Sequence, residues 1–114
     1  MSILVRAELR ARAGRREELT GLAVALAEAA AEEPGTLRYE WFTSDDPDDL
    51  VVVEEYADAE AALAHNRHCA DLLHRVPALA EMTSVHLHGP LDPGLQAWIA
   101  ETPVAHGHPP LGPP

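Results

Sequence analysis

Seven histidines and one cysteine are the residues of this 114-residue chain that are best suited to proton transfer or metal binding. Three of the histidines, His65, His68 and His74, lie with Cys69 in the segment AHNRHCADLLH, residues 64–74. Histidine changes its charge near neutral pH, and both histidine and cysteine are good ligands for zinc. The segment therefore suggests an acid–base site, a metal site or an ordinary solvated helix.

Helical geometry separates these residues, because about 100° of rotation per residue puts positions three or four apart on one face. His68 lies at the shoulder of the inward face and Asn66 beside it, whereas His74 faces solvent. Two interpretations of His65 stay open: a base that points into a pocket, and a buried histidine bonded to a backbone carbonyl. The inward stripe consists of Ala61, His65, Cys69, Leu72 and Val76.

A metal site receives less support from the sequence. His65 and His68 have the i, i+3 spacing of helical ligands, and His86 and His88 alternate on a later strand. The apolar residues of that strand are its expected core face, so His86 and His88 should point away from the helix. No carboxylate completes a familiar metal motif, and the sequence predicts no bound metal.

The elements that position these residues follow from the hydrophobic pattern. The order β-α-β-β-α-β predicts a ferredoxin-like α+β fold, with a four-stranded antiparallel sheet and two helices on one face. Tyr39 and Trp41 share the apolar face of the second strand with Leu37, either as core or as the wall of an aromatic-binding pocket. Strands are predicted at residues 2–11, 36–42, 50–56 and 83–88, and helices at 15–33 and 57–76.

The chain divides into one domain and two short extensions. Residues 1–90 form the predicted domain, and residues 91–101 a short terminal helix or extension. Residues 102–114 are rich in proline and glycine, and we expect them to be mobile. The second face of the sheet is predicted to be a polar dimer interface or a solvated surface that carries Arg6, Glu8, Arg38, Glu40, His86 and His88.

Charge and composition exclude several classes of function. A net charge of −11 repels nucleic acid, whose phosphates require clustered positive charge. All eight basic residues are arginines, so Schiff-base chemistry on a lysine is excluded. No apolar run approaches the roughly 20 residues that span a bilayer, and the N-terminus MSILVRAELRA lacks the pattern of a signal peptide. We therefore expect a cytoplasmic protein that binds neither membrane nor nucleic acid.

Residues 3–90 resemble the antibiotic biosynthesis monooxygenase family of dimeric α+β barrels. The resemblance rests on the first strand followed by Gly14, on EPGTLRYE before the second strand, and on VVVEEYADAEAALAH, which ends at His65. It implies a homodimer that oxidises a phenolic, quinol or polyketide-type aromatic substrate with molecular oxygen and no cofactor. Haem-degrading relatives use an asparagine on the first strand, where this chain has Arg6, Ala7 and Glu8.

Under this resemblance, residues of the second helical region become candidates for catalysis. A cofactor-free oxygenase needs a general base, donors for an oxyanion and a dry apolar pocket. His65 and His68 are the candidate catalytic residues. The candidate substrate-binding residues are Tyr39, Trp41, Asn66, Cys69 and Leu72. A non-catalytic domain that binds an aromatic ligand and an isomerase of a small metabolite are the alternatives.

Overall fold

A computed structural model describes residues 1–112 of the chain. None of the helices in this range is both long enough and apolar enough to span a membrane. The elements are β1 (Ile3–Ala11), α1 (Arg16–Ala30), β2 (Thr36–Thr43), β3 (Asp49–Tyr56), α2 (Ala59–His68), α3 (Ala70–Leu73), α4 (Val76–Leu79), β4 (Ala80–His88), α5 (Pro93–Glu101) and β5 (Ala105–His108).

The sheet has the strand order β2-β3-β1-β4-β5. The pairs β1–β3, β1–β4 and β2–β3 are antiparallel, whereas β5 runs parallel to β4. The ferredoxin-like α+β class is confirmed, and the sheet of a single chain is open rather than closed into a barrel. The prediction of four antiparallel strands is wrong, because β5 makes the sheet five-stranded and mixed.

The fifth strand lies in the segment for which mobility was expected. Val85 N–H donates to the carbonyl of Val104, and Gly89 N–H to that of His108, so β5 continues the hydrogen bonding of β4. A Cβ on Gly107 would lie 2.6 Å from Leu91 Cδ1, so a larger residue here would require the Leu91 side chain to move. Residues 113 and 114 of the predicted tail lie outside the described residues.

Alternation along the strands buries one face of the sheet under the helices. In β1 every second residue from Ile3 to Ala11 is buried, and Val85 and Leu87 of β4 are buried beside them, as predicted. α1 covers this face with a stripe at helical spacing. Its buried leucines are Leu19, Leu22 and Leu26.

Leu37 departs from the predicted pattern of β2. The register between β2 and β3 shifts between Thr36 and Arg38, so Leu37 is an extra residue without a counterpart on β3. Such a bulge reverses the direction of the side chain, and Leu37 is 57% exposed. Tyr39 and Trp41, beyond the bulge, are half-buried and face the helices.

The second helical region is divided into three short helices. Asp58 caps α2, since its carboxylate accepts a hydrogen bond from the Ala61 N–H, as the sequence predicted. The helix breaks at Cys69 and again before α4, whose first turn contains Pro77. These breaks leave His65 near the end of α2 with its ring directed inward.

The outer face of the sheet carries charged side chains that pair along their own strands. Arg6 contacts Glu8 at 2.6 Å, and Arg38 contacts Glu40 at 2.7 Å. These exposed pairs satisfy the charges within one chain and contribute little to stability. The homodimer that would cover this face stays a prediction.

Candidate active site

The inner face of the sheet and the helices bound a cavity of about 750 Å³. This volume lies in the range of about 300–1,000 Å³ that is usual for small-molecule sites. Apolar side chains from β1, β3, β4 and α5 form most of its wall. Exposed members of the lining mark its opening to solvent: Arg12, Arg67, His74, Pro77 and Glu81.

The structure brings four of the seven predicted site residues together at this cavity, whose lining includes Tyr39, Trp41, His65 and Asn66. Cys69 and Leu72 lie outside its lining, where Cys69 is 1% exposed and packs in the core. His68 is half-exposed and borders a second cavity of about 440 Å³. His65 lies between the two cavities and contributes to both linings.

A carboxylate that follows α1 connects the two histidines. Glu33 Oε1 lies 2.8 Å from His65 Nδ1, and Glu33 Oε2 lies 2.6 Å from His68 Nδ1. The Thr36 hydroxyl donates to Oε1 at 2.6 Å, and the Cys69 thiol donates to Oε2 at 3.3 Å. Glu33 is therefore the centre of a hydrogen-bonded cluster that reaches from α1 to α2.

These contacts hold Glu33 in its ionised form. Burial opposes ionisation, but the hydrogen bonds from Thr36, His65 and His68 outweigh it and lower the pKa of Glu33 to about 2. A carboxylate accepts hydrogen bonds and cannot donate them. The nitrogen of His65 that faces Glu33 therefore carries the proton, and the lone pair of the neutral ring lies on Nε2.

A second carboxylate faces the opposite side of the His65 ring. Glu54 Oε1 lies 4.0 Å from His65 Nε2, and the Tyr56 hydroxyl donates a hydrogen bond to the same oxygen. Burial raises the pKa of Glu54, and the hydrogen bond from Tyr56 and the nearby His65 oppose this shift only in part. His65 is thus positioned between an acid that ionises readily and one whose proton is held more tightly.

Two tyrosines and one tryptophan complete the polar part of the cavity wall. The rings of Tyr39 and Tyr56 lie 5.2 and 5.4 Å from the His65 ring. Burial, followed by the charge of Glu54, raises the pKa of both tyrosines, so they stay protonated. Trp41 lines the cavity, and its Nε1 is buried without a hydrogen-bond partner among residues 1–112.

Residues 2–75 match the family model of antibiotic biosynthesis monooxygenases. The chain belongs to the antibiotic biosynthesis monooxygenase family. No curated protein matches the chain by sequence. The matched segment contains β1 through α3, and with them Glu33, Glu54, His65 and His68.

Solved structures with the fold of this family cover most of the chain. MupZ from Pseudomonas fluorescens is 20% identical and aligns over 98% of this chain and 92% of MupZ, with a TM-score of 0.84. Rv0793 from Mycobacterium tuberculosis is 26% identical over 81% of this chain and 97% of Rv0793, with a TM-score of 0.72. SnoaB, a cofactor-independent oxygenase from Streptomyces nogalater, is 16% identical over 75% of this chain and 89% of SnoaB, with a TM-score of 0.67.

One group of side chains in this monooxygenase-family domain has the composition of a metal site. Ligand atoms of Glu33, His65 and Cys69 lie within 4.8 Å of one another. Burial, followed by the hydrogen bond to Glu33, raises the pKa of the Cys69 thiol to about 12. Without a cation, the thiol therefore stays protonated and acts as a hydrogen-bond donor.

Sequence reasoning missed the two glutamates that face His65. Glu33 lies in the segment EEPG, which reads as an ordinary helix end, and its role depends on packing against α2. Glu54 did leave a signal, because it occupies an inward position of β3, between the buried Val52 and Tyr56. An acid on the core face of a strand is unusual and indicates a site.

Proposed function

We propose that this protein is a cofactor-independent monooxygenase that oxidises a phenolic, quinol or polyketide-type aromatic substrate with molecular oxygen. One observation carries the proposal: a carboxylate-oriented histidine borders a largely apolar cavity that Trp41 also lines, and the indole N–H of Trp41 has no partner in the described part of the chain. Family membership supports the same class of reaction.

The proposed chemistry explains why the cavity needs a base. Molecular oxygen is a triplet and reacts slowly with closed-shell organic molecules. Removal of a phenolic or enolic proton gives an electron-rich anion that can pass one electron to oxygen. The protein must therefore accept a proton and stabilise the oxyanion, and a general base typically contributes about 10²–10⁴ in rate.

Each predicted site residue has a place in this proposal. His65 Nε2 accepts the substrate proton, while Glu33 fixes the tautomer and stabilises the imidazolium. Trp41 and Tyr39 donate hydrogen bonds to the developing oxyanion, and Asn66 contributes to substrate binding. His68 holds the second oxygen of Glu33, Cys69 donates a hydrogen bond to the same oxygen, and Leu72 packs against the core.

The oxidation balances without another redox partner. The substrate anion transfers one electron to oxygen, and the resulting radical and superoxide combine to form a carbon–oxygen bond. The peroxide then takes the proton back from His65 and loses water, which converts a CH₂ group into a carbonyl. One oxygen atom enters the product and the other leaves as water.

Oxygen uptake with a panel of anthrones and quinols tests this function. His65→Asn is the sharpest variant, because the amide nitrogen of asparagine can replace Nδ1 as a donor to Glu33 while Nε2 is lost. We expect kcat to fall by about 10²–10⁴. Trp41→Phe removes one donor to the oxyanion, with an expected loss of about 10²–10³.

His88→Asn is the matched control, since His88 is exposed on the other face of the sheet. It should retain the activity of the parent protein. If the folded parent protein consumes no oxygen with any of these substrates, the oxygenase proposal fails for them. Full activity of His65→Asn would remove the base role from His65.

A second function is favoured by the position of Glu54. A carboxyl group with a raised pKa lies 4.0 Å from a histidine base, which suits transfer of a proton between two atoms of one substrate. Such an isomerase would form product without oxygen and would incorporate deuterium from solvent. The same substrate panel under nitrogen in deuterated buffer separates the two reactions, and binding without turnover in either assay would indicate a ligand-binding domain.

A further inference from the structure

Four side chains with metal-binding atoms converge between α1 and α2: Glu33, His65, His68 and Cys69. No neighbouring carboxylate in the sequence completes a familiar metal motif with the histidines of α2, but the fold brings Glu33 to both rings. Histidine, cysteine and the carboxylates of aspartate and glutamate are the usual protein ligands of zinc. The geometry of their atoms therefore decides whether they can share one ion.

The distances from Cys69 Sγ to the other three ligand atoms are close to those around a tetrahedral ion. Zinc–ligand bonds of about 2.0–2.3 Å place neighbouring ligand atoms about 3.3–3.8 Å apart. Cys69 Sγ lies 3.3 Å from Glu33 Oε2, 3.7 Å from His65 Nδ1 and 4.0 Å from His68 Nδ1. The contacts of His65 Nδ1 and His68 Nδ1 with Glu33, at 2.8 and 2.6 Å, go to different carboxylate oxygens. They must open by at least about 0.5 and 0.7 Å, and the carboxylate must turn, before one of its oxygens shares an ion with both rings.

We propose that Glu33, His65, His68 and Cys69 form a binding site for a divalent cation of the zinc class. The ligands would be one carboxylate oxygen, the two Nδ1 atoms and the thiolate. Binding releases the Cys69 proton, because a coordinating thiol is deprotonated. The two negative ligands then balance the charge of the ion.

The surroundings of these four residues are consistent with a bound ion. His68 has a 46% exposed side chain and borders the smaller cavity together with Glu33, which gives an ion a path from solvent. His65 is buried, and its Nε2 faces the Glu54 carboxyl at 4.0 Å. A metal-bound histidine commonly directs its second nitrogen to a carboxylate, which orients the ring.

A bound ion at this site would inhibit the proposed oxidation. An ion on Nδ1 takes that lone pair, so the proton of the neutral ring moves to Nε2 and this atom can no longer accept one from substrate. Zinc is thus expected to inhibit the enzyme, a consequence that rests on the proposed function. The binding itself does not depend on that function.

Titration of the full-length, chelator-treated protein with Co²⁺ tests the site directly. Cobalt in a tetrahedral site with one thiolate gives a near-ultraviolet charge-transfer band and strong visible d–d bands. We expect both to saturate at one equivalent and to disappear on addition of Zn²⁺. Folded parent protein that shows no charge-transfer band would overturn the proposal.

Three variants assign the ligands. Cys69→Ser should abolish the charge-transfer band, and His68→Asn, at an exposed position, should weaken Co²⁺ binding by about tenfold or more. His108→Asn is the control, because His108 belongs to an exposed group of histidines on β4 and β5. Unchanged binding in His68→Asn, or loss of binding in His108→Asn, would contradict the assignment.

An activity measurement separates this proposal from the proposed function. If the parent oxidises the test substrates, one equivalent of Zn²⁺ should inhibit it, and a chelator should restore the rate. If no substrate is oxidised but the cobalt bands appear, the metal site stands and the oxygenase proposal fails. Undiminished oxidation by fully zinc-loaded protein would contradict the inhibitory role.

Discussion

The chain has two groups of histidines, and they lie on opposite faces of the sheet. The inner group, His65 and His68, shares the carboxylate of Glu33. The outer group lies on the neighbouring strands β4 and β5, where three pairs of rings stack with their centroids 4.7–5.1 Å apart. Its members are His86, His88, His106 and His108.

The difference between these groups lies in their hydrogen-bond partners. In the inner group the partly buried carboxylate of Glu33 faces each Nδ1, so it fixes the proton on a defined nitrogen. In the outer group His86 Nδ1 lies 2.8 Å from His108 Nε2, and one imidazole serves as the partner of another. Partial burial, followed by the charge of the neighbouring imidazoles, lowers the pKa of His86. A cluster of histidines therefore has one defined protonation state when a carboxylate faces its rings, whatever the number of histidines.

Replacement of Glu33 should have the largest effect on stability. A pKa lowered from 4.5 to about 2 corresponds to roughly 3 kcal/mol of stability, present above pH 4.5 and lost as the pH falls toward 2. We expect Glu33→Gln to lower the free energy of unfolding by about this amount at pH 7. Urea unfolding of chelator-treated protein at pH 7 and pH 3 measures the difference, which should shrink at the lower pH.

Glu32→Gln is the matched control for this prediction. Glu32 precedes Glu33 and is exposed, so its replacement should change the free energy of unfolding by less than about 0.5 kcal/mol. Equal effects of the two substitutions would mean that net charge, rather than the hydrogen-bonded cluster, determines the stability.

Local sequence patterns predicted most of the fold and part of the site. Alternation in β1 and β4 and helical spacing around His65 identified the buried faces, because burial follows directly from these periods. The inward position of His65, the exposure of His74 and the cap formed by Asp58 are confirmed.

Features that depend on contacts distant in sequence escaped the same reasoning. Glu33 reaches His65 across 32 residues, and no local period indicates that contact. β5 forms by pairing with β4, a contact between separate segments, whereas the proline and glycine around it favoured a mobile segment. The bulge at Leu37 likewise depends on how β2 pairs with β3.

Replacement of Glu54 should change the stability by less than replacement of Glu33, and in the opposite direction. Burial raises its pKa above 4.5, so the folded state carries a cost that begins near pH 4.5 and grows as the pH rises toward the folded value. Glu54→Gln should therefore stabilise the protein, and by more at pH 8 than at pH 4. Thermal unfolding across this range measures the effect, with the exposed Glu60→Gln as the control. A loss of stability at pH 8 would show that the hydrogen bond from Tyr56 outweighs burial.

Protonation of the outer histidines should have the smallest effect on stability, and this effect should be confined to β5. Because the folded pKa of His86 lies below 6.5, the stability that depends on its neutral form is complete above pH 6.5 and is lost as the pH falls below it. Hydrogen exchange of residues 104–108, corrected for intrinsic rates, should therefore show weaker protection at pH 5.5 than at pH 7.5. His106→Gln removes one neighbouring charge and should reduce this difference, whereas His74→Gln should not. Equal protection of β5 at both pH values would mean that repulsion between the stacked imidazoles does not weaken the strand.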